Sequence, residues 1–336
     1  MIWVCITRRP FEVRTKRPMK RRAYLIMYCL LPVLILGLTS PEGVRGETFV
    51  DALGRRVVLN RAPRRIVSLA PSVTELLYYL GLGNRVVGVT TFSDYPPDAA
   101  RKPKVGSYVH LNVERILELE PDLAVGTKDG NEPSSVALLE QAGIPVYIVN
   151  PRHVEDVADT LFSIARLCGV AQKGKRLARS LGDRIEKVRA QVRGLPKPLV
   201  FVQINLKPII SVSRNTIHND VIRLAGGINV MADARITYPT VSVEQVLARR
   251  PDVIIISSME RGGRFEKARR EWMRWKSIPA VRNNRVYLVD SDILDRASPR
   301  IIKGLETVAQ LLHPELGKKE LELNGGKTSE GTPYSP

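Results

Sequence analysis

One helix-and-strand pattern occurs twice in this chain and restricts the folds that the chain can adopt. Residues 112–125 read NVERILELEPDLAV and residues 242–255 read SVEQVLARRPDVII, 130 positions apart and in the same register. Each copy has a helix-capping residue, an apolar face at helical spacing, a proline that ends the helix and an apolar strand. The repetition predicts one supersecondary unit that is used once in each of two similar halves.

Strand patterns alternate with helical patterns on both sides of one long helical stretch. Short apolar runs such as LAVG follow helices, which is typical of buried parallel strands. The segment KGKRLARSLGDRIEKVRAQVRG contains little turn chemistry before Gly194 and Pro196, so it predicts the long helix. We predict an α/β fold of two lobes, each with a mostly parallel central sheet flanked by helices, joined by one long rigid helix. A ligand is expected in the cleft between the lobes, near the strand ends.

These patterns also set the boundaries of the predicted parts. The N-terminal lobe is expected to span residues 47–170, the linking helix residues 171–195 and the C-terminal lobe residues 196–313. The polar stretch over residues 314–336 predicts a flexible tail.

The first helix of the N-terminal lobe carries a full set of helix-end signals. In PSVTELLYYLGLG, Ser72 is a candidate N-cap and Glu75 stands three residues later, as in a capping box. Gly81 and Gly83 follow as stop signals. Glu75 is therefore expected to serve the start of its own helix.

The first 46 residues predict an export segment. The basic run MKRR begins at Met19, which is an alternative start of the protein, and the apolar run AYLIMYCLLPVLILGL follows. A basic stretch, a short apolar stretch and a polar exit are the parts of a secretory signal peptide, with cleavage after Ser40 or Gly46 as the candidates. A retained N-terminal anchor is the other interpretation, although the apolar run is short for a membrane span. Either interpretation predicts a periplasmic location.

The formal charge of the chain is +18, and nine cations against two carboxylates fall within residues 1–46. The remainder therefore carries +11. Such a balance suits nucleic acid or an anionic membrane. The cations are scattered along the sequence and no nucleic-acid-reading motif is present, so we prefer an exported basic protein that binds no nucleic acid. Clustering of the cations on one face would favour the nucleic-acid interpretation.

Signatures of catalysis are absent from the sequence. No phosphate-binding glycine loop and no nucleophile elbow is present, and the four histidines are too far apart to pair as metal ligands. The acidic pair Asp290 and Asp292 is typical of a turn or a helix cap. Cys168 lies in an apolar helical pattern, where a small buried thiol is expected. The sequence indicates a binding protein and not an enzyme.

A set of specific motifs identifies a family. RIVSLAPSVTELLYYLGLGNRVVGVTTFSDYPPDA (65–99), LNVERILELEPDLAV (111–125), SVEQVLARRPDVIII (242–256) and DRASPRII (295–302) together resemble the cobalamin- and iron-complex-binding proteins of ABC importers, of the type with a helical backbone. The resemblance covers roughly residues 60–313, and SDYPP and RASPRI are most similar to the cobalamin branch. It implies two α/β lobes on a long helix, an open cleft for a large ligand, and delivery to a membrane permease that is driven by an ATPase.

The resemblance also implies how such a protein meets its permease. Family members dock through one glutamate in each lobe. Glu244 in SVEQVL matches the C-terminal glutamate, and Glu132 after the GN pair is the N-terminal candidate, one position earlier than the family pattern. Both Glu244 and its counterpart Glu114 in the repeat also lie where a carboxylate favours a helix start. The protein is expected to act as a monomer.

The pocket residues carried over from the cobalamin branch depart from it in part. Tyr108 and Tyr238 stand where tryptophans are expected and keep a ring with a polar tip. Thr127 and Ile204 stand where larger aromatic side chains are expected and lose stacking surface. Asp292 and Arg296 match residues that bond the amides of the ligand, although a helix-start ion pair between Asp295 and Arg296 is an alternative.

The bound molecule is the open question at this level. Cobalamin is the first expectation, and a ferric siderophore or haem is the alternative because the aromatic set is reduced. His110, two residues after Tyr108, is a candidate axial ligand for a metal centre in haem or a corrinoid. No catalytic cofactor is expected.

Overall fold

The computed structural model describes residues 46–257 and 264–316. The predicted export segment, with its alternative start and cleavage sites, and most of the predicted tail lie outside these residues. The described residues from Glu47 onward belong to one compact unit. No helix in the described part of the chain combines the length and the apolar character that a bilayer crossing requires.

The N-terminal lobe contains an antiparallel hairpin followed by a parallel sheet. The hairpin strands are β1 (Glu47–Val50) and β2 (Arg56–Leu59). The sheet strands are β3 (Ile66–Ser68), β4 (Val86–Val89), β5 (Leu123–Thr127) and β6 (Val146–Val149), hydrogen-bonded in the order β4-β3-β5-β6 with every pair parallel. The helices are α1 (Pro71–Tyr79), α2 (Pro97–Ala100), α3 (Val113–Glu118), α4 (Pro133–Gln141) and α5 (Val154–Leu167).

The C-terminal lobe repeats the parallel sheet. The linking helix is α6 (Ala171–Val192), with 22 residues. The strands that follow are β7 (Leu199–Gln203), β8 (Ile228–Asn229), β9 (Val253–Ile256) and β10 (Val286–Leu288), in the order β10-β9-β7-β8 with every pair parallel. The helices are α7 (Ile217–Leu224), α8 (Val243–Arg249), α9 (Arg264–Trp272), α10 (Pro279–Arg282), α11 (Ser291–Leu294) and α12 (Ile301–Leu312).

The predicted fold class is confirmed. Every residue of β6 and of β9 is buried, as expected for strands covered by helices on both faces. Helix α6 lies along both lobes, because its Arg189 pairs with Glu155 of α5 and its Arg184 pairs with Glu306 of α12. The inner face of α6 is buried in the same core as both lobes.

The two copies of the repeat form matching helix-and-strand units, α3 with β5 and α8 with β9. The Asn112 side chain caps α3 by accepting from the Arg115 amide at 2.8 Å. Ser242 and Gln245 form a capping box at the start of α8. The caps predicted for both copies are therefore confirmed.

The N-terminal cap predicted for α1 is wrong, whereas the predicted glycine stop is confirmed, because the helix ends at Tyr79 and Gly81 has a φ of +74°. The helix begins at Pro71, and Ala70 occupies the N-cap position with no side-chain hydrogen bond. Pro71 needs no amide partner at the first position of a helix, so the helix can begin two residues earlier than the capping motif indicates. Ser72 therefore lies inside the helix, and Glu75 is free to reach the other lobe.

Cys168 follows α5 and is a free, buried thiol. Burial raises its pKa to about 12, so the sulfur stays protonated at neutral pH. The prediction of a buried structural cysteine is confirmed.

Candidate functional site

The residues predicted to bind a ligand lie at the carboxyl ends of the two parallel sheets. Thr127 is the last residue of β5, and Ile204 directly follows β7. Tyr108 lies on the loop between α2 and α3, and Tyr238 lies on the loop between β8 and α8. All four side chains are partly or largely exposed, so they are available to a molecule in the cleft. This edge is where parallel α/β sheets bind ligands.

The Tyr108 loop is held by a buried asparagine that the sequence did not indicate. Asn131 donates to the carbonyls of Leu69 and Tyr108, at 2.8 and 2.7 Å, and accepts from the Thr127 amide at 2.7 Å. Gly130 lies beneath the ring, since a Cβ atom there would come within 2.6 Å of Tyr108 Cδ2 and 2.9 Å of Thr127 Oγ1. Tyr108 and Thr127 are therefore neighbours in a fixed arrangement.

Tyr238 approaches this group from the C-terminal lobe. Its side chain is 48% exposed. Partial burial raises the pKa of its phenol, and the Asp129 carboxylate of the N-terminal lobe adds to the effect. Tyr108 also acts on it electrostatically. The phenol is thus neutral at neutral pH, and the tyrosines of the two lobes lie close enough to influence each other electrostatically.

Large exposed apolar side chains also lie at these edges of the sheets, and the sequence prediction did not include them. Phe92, Val109 and Ile236 are exposed by 59%, 37% and 68% on loops at the carboxyl edges of the sheets. Phe92 follows β4, and its carbonyl accepts from Arg296 Nη2 at 3.4 Å. An aromatic residue in the polar turn TTFSDYPP was the available signal. Phe92 restores some of the aromatic surface that Thr127 and Ile204 lack.

Asp292 and Arg296 are brought together in a charged cluster that joins the lobes. Their ion pair measures 3.0 Å, and both side chains are mostly buried. Arg296 also bonds Glu75 of α1 at 2.9 Å and Asp94 of the N-terminal lobe at 3.3 Å. Arg300 lies 3.4 Å from the same Glu75 oxygen. Three carboxylates and two guanidinium groups thus meet where the lobes touch.

Glu75 is the most deeply buried member of this cluster, with a side chain that is 2% exposed. Its second oxygen accepts from Ser298 Oγ at 2.6 Å. Burial raises the pKa of Glu75, against the opposing effect of the bonds from Ser298 and Arg296. Burial would lower the pKa of Arg296, but the bond to Glu75 and the surrounding carboxylates raise it. Glu75 and Arg296, 221 residues apart in sequence, therefore form a buried contact between the lobes.

The ion pair considered between Asp295 and Arg296 is absent from the described contacts. Asp295 Oδ1 instead accepts from Ser257 Oγ at 2.7 Å and lies 3.0 Å from His218 Nε2. Helix α12 starts only at Ile301, so neither residue is placed to cap it. The difference arises because α1 supplies the partner for Arg296, which sequence neighbours could not reveal.

A second buried carboxylate joins the lobes at the far edges of the sheets. Asp220 of α7 is 3% exposed and accepts from the amide of Val154, the first residue of α5, at 2.8 Å. This amide has no partner within its own helix, so the C-terminal lobe supplies one. Arg223 pairs with the other Asp220 oxygen at 2.6 Å. The lobes are therefore connected by hydrogen bonds as well as by α6.

His110 and Glu132 meet on the surface of the N-terminal lobe. His110 Nδ1 lies 3.2 Å from Glu132 Oε1, and the two side chains are 80% and 45% exposed. Glu132 occupies the N-cap position of α4 without a side-chain cap bond. Among the described residues, no group of three His, Cys, Asp or Glu side chains is arranged to hold a metal ion. The Glu132 carboxylate and the His110 imidazole lie together in one exposed patch near Tyr108.

Glu244 lies on the outer surface of the C-terminal lobe, in the first turn of α8. Hydrogen bonds from its own backbone and from Ser242 lower the pKa of its carboxyl, so it is ionised at neutral pH. Glu114 occupies the corresponding first turn of α3 and is also exposed. Both carboxylates favour a helix start, and Glu244 remains available to a partner.

Comparison with known proteins agrees with this geometry. A profile of a periplasmic binding protein family matches residues 66–293. The vitamin B12-binding protein of Vibrio parahaemolyticus is 34% identical over 254 residues, which is 75% of this chain and 90% of that protein. The structure of the periplasmic vitamin B12-binding protein BtuF of Vibrio cholerae has a TM-score of 0.67 at 33% identity, with 77% of this chain and 99% of that chain covered.

Haem-binding proteins are similar in structure as well. The periplasmic haem-binding protein RhuT of Roseiflexus sp. RS-1 has a TM-score of 0.68 at 29% identity, with 75% of this chain and 98% of that chain covered. The family resemblance drawn from the sequence motifs is thereby confirmed. The chain belongs to the periplasmic binding protein family.

Proposed function

We propose that this protein captures a corrinoid of the cobalamin type in the cleft between its lobes and delivers it to an ABC importer. The observation that carries the proposal is a pair of tyrosines, one on a loop of each lobe at the carboxyl edges of the sheets, that lie close enough to influence each other electrostatically. Val109 and Ile236 are exposed on the same two loops. A large planar ligand with polar amides would pack on such rings and bond polar groups at the edge of the site.

Each predicted site residue has a role in this proposal. Tyr108, Tyr238 and Phe92 would pack on the macrocycle, with Thr127 and Ile204 forming the floor at the strand ends. Asp292 and Arg296 would bond ligand amides from the edge of the charged cluster, where their side chains are 23% and 12% exposed. The small exposure of Arg296 limits it to a contact at the rim.

Several parts of the proposal concern the chain outside the cleft. Residues 1–46 would direct export to the periplasm as a cleaved signal or a retained anchor, and an N-terminal mass measurement of the exported protein would distinguish the two. The protein would act as a monomer and without catalysis, because its role is to carry a ligand. Glu132 and Glu244 would contact the permease.

Haem or another iron complex is the second candidate ligand. His110 is 80% exposed beside the Tyr108 loop, and a histidine or tyrosine can ligate haem iron. The similarity to haem-binding proteins supports this alternative as well. Proteins that bind vitamin B12 share more identity with the chain than the haem-binding proteins do, so the corrinoid is placed first.

Titration of residues 47–336 with cyanocobalamin, haem and a ferric siderophore tests the proposal. Calorimetry is expected to give saturable binding of cyanocobalamin at one molecule per protein, and weaker binding in a Tyr238→Ala variant because a stacking ring is lost. No saturable cyanocobalamin binding would refute the first choice of ligand. Saturable haem binding with a Soret shift that His110→Ala removes would establish the alternative.

Gly130→Ala is expected to weaken cyanocobalamin binding roughly tenfold, a cost of about 1.4 kcal/mol. The added methyl group would meet Tyr108 Cδ2 at 2.6 Å, so the ring must move away from its position in the cleft. Calorimetric titration of the variant measures the effect. Gly182→Ala on α6 is the matched control, since nothing lies within 4 Å of a Cβ atom there. Equal affinity of both variants would show that the position of Tyr108 does not matter.

A further inference from the structure

Helix α9 and the turn after it form a strongly cationic exposed segment of the C-terminal lobe. Residues 266–276 contain five cations and two carboxylates. Lys267, Arg270, Arg274 and Lys276 are all exposed. We call these four side chains, together with Trp275, the α9 patch.

The cations of the α9 patch have no ionic partners among the residues that the structure describes. Many arginines elsewhere are paired, for example Arg115 with Glu118, Arg152 with Asp129 and Arg249 with Asp233. An unpaired, clustered set of cations keeps its full attraction for an anionic surface. The sequence could not show this, because the pairing of each arginine depends on the fold.

The opposite side of α9 is locked into the lobe, so the patch has a fixed orientation. Ala268 and Trp272 are buried. The Trp272 indole donates to Gln203 Oε1 at 2.7 Å, and its ring packs edge-on against Phe201 with the centroids 5.7 Å apart. The helix therefore cannot insert its apolar side into a bilayer, and contact through the α9 patch has to be peripheral.

Trp275 adds an amphipathic element to the cations. Its side chain is 40% exposed. It borders a separate pocket of the C-terminal lobe, of about 210 Å³, whose apolar wall includes Leu206, Ile209 and Val243. A partly exposed tryptophan beside basic side chains is typical of a protein surface that rests at the headgroup level of a membrane.

The position of the α9 patch beside α8 indicates which way the patch faces. Val243, which lines the pocket beside Trp275, is the first residue of α8 and precedes Glu244. If Glu244 contacts a permease embedded in a membrane, the neighbouring surface faces the lipid around that permease. This step rests on the docking role proposed for Glu244, whereas the charge and exposure of the patch do not depend on it.

We propose that the α9 patch binds the headgroups of anionic phospholipids. The four cations would contact lipid phosphates, and Trp275 would lie at the level of the glycerol groups. A nucleic acid is less favoured, because one exposed indole provides no series of rings on which successive bases could stack. Weak lipid contact would hold the loaded protein at the membrane surface and shorten its search for the permease.

Sedimentation of residues 47–336 with vesicles tests the proposal. This piece is one compact unit with its own core, and it lacks the apolar run that would itself insert. Binding is expected to vesicles of phosphatidylcholine with 30–50% phosphatidylglycerol, to be much weaker with phosphatidylcholine alone, and to disappear in ~0.5 M NaCl because salt screens the attraction. Arg270→Glu with Arg274→Glu should lower the vesicle affinity about tenfold or more, and Trp275→Ala severalfold.

Lys175→Glu with Arg179→Glu is the matched control, since it makes the same change in net charge at exposed positions of α6. An equal loss of vesicle affinity in both double variants would refute a specific lipid-binding patch. Absence of vesicle binding by the unaltered protein would refute it as well. Tighter binding of a single-stranded oligonucleotide than of the anionic vesicles would overturn the lipid assignment. Thermal unfolding checks that each variant folds. Cyanocobalamin titration of the same variants should be unchanged, so a failure of the ligand proposal and a failure of the lipid proposal are separately visible.

Discussion

Replacing Arg296 with methionine is expected to lower the free energy of unfolding by about 3 kcal/mol at neutral pH. Methionine keeps most of the buried volume but removes the charge. Glu75, whose side chain is 2% exposed, would then keep only Ser298 and the more distant Arg300 as partners. A buried charge that has lost its main partner destabilises the fold, because no ion pair compensates for its desolvation. Urea unfolding followed by circular dichroism measures the change.

The loss of stability in the Arg296→Met variant should depend on pH in a defined direction. Burial raises the pKa of Glu75 in the folded protein, and loss of Arg296 removes a bond that opposes this rise. The folded variant then binds a proton more tightly than the unfolded chain, so its stability increases as pH falls toward the pKa of an unfolded glutamate. The difference from the unaltered protein is therefore expected to be smaller at pH 5 than at pH 8.

Two companion variants separate the buried pair from a general loss of charge. Glu75→Gln combined with Arg296→Met should be more stable than Arg296→Met alone, because a neutral amide costs less to bury. Arg101→Met removes a cation from a pair whose side chains are 78% and 71% exposed, and should cost less than about 0.5 kcal/mol. If the double variant is no more stable than Arg296→Met alone, the buried charge of Glu75 is not the cause of the destabilisation.

Local patterns in the sequence were sufficient to predict the scaffold. The capping residues Asn112 and Ser242, the apolar faces that follow them and the strands β5 and β9 are determined by neighbours within a few residues. The same holds for the long helix α6. Two matching units then imply two lobes, which is why the fold class could be predicted before any contact between distant residues was known.

Contacts between the lobes could not be predicted in this way. Glu75 matches a capping box by spacing, but its partners Arg296 and Ser298 lie more than 200 residues away. The buried Asn131 that holds the Tyr108 loop also gave no local signal, because its role depends on the carbonyls of two separate strand ends. Sequence spacing predicts local capping, whereas a buried polar side chain is used by whichever element the fold brings to it.

The repeat also suggests where the two lobes differ in use. Glu114 and Glu244 occupy the same place in α3 and α8, and both are exposed. On the N-terminal side the candidate for docking is instead Glu132 at the start of α4, which already lies 3.2 Å from His110. A partner's cation would have to compete with that histidine for the Glu132 carboxylate.

Glu132→Ala combined with Glu244→Ala is expected to lower transport at least tenfold while leaving cyanocobalamin affinity unchanged. Neither carboxylate is among the residues proposed to contact the ligand, so cyanocobalamin affinity should not depend on them, whereas a docking contact that loses about 1.4 kcal/mol is weakened tenfold. Uptake of labelled cobalamin into vesicles that contain the importer measures the effect. Glu114→Ala is the matched control, because it removes a carboxylate from the equivalent first turn and should leave uptake intact. Full uptake by the double variant would show that these glutamates do not dock. Equal loss in Glu114→Ala would attribute the effect to helix starts and not to a permease.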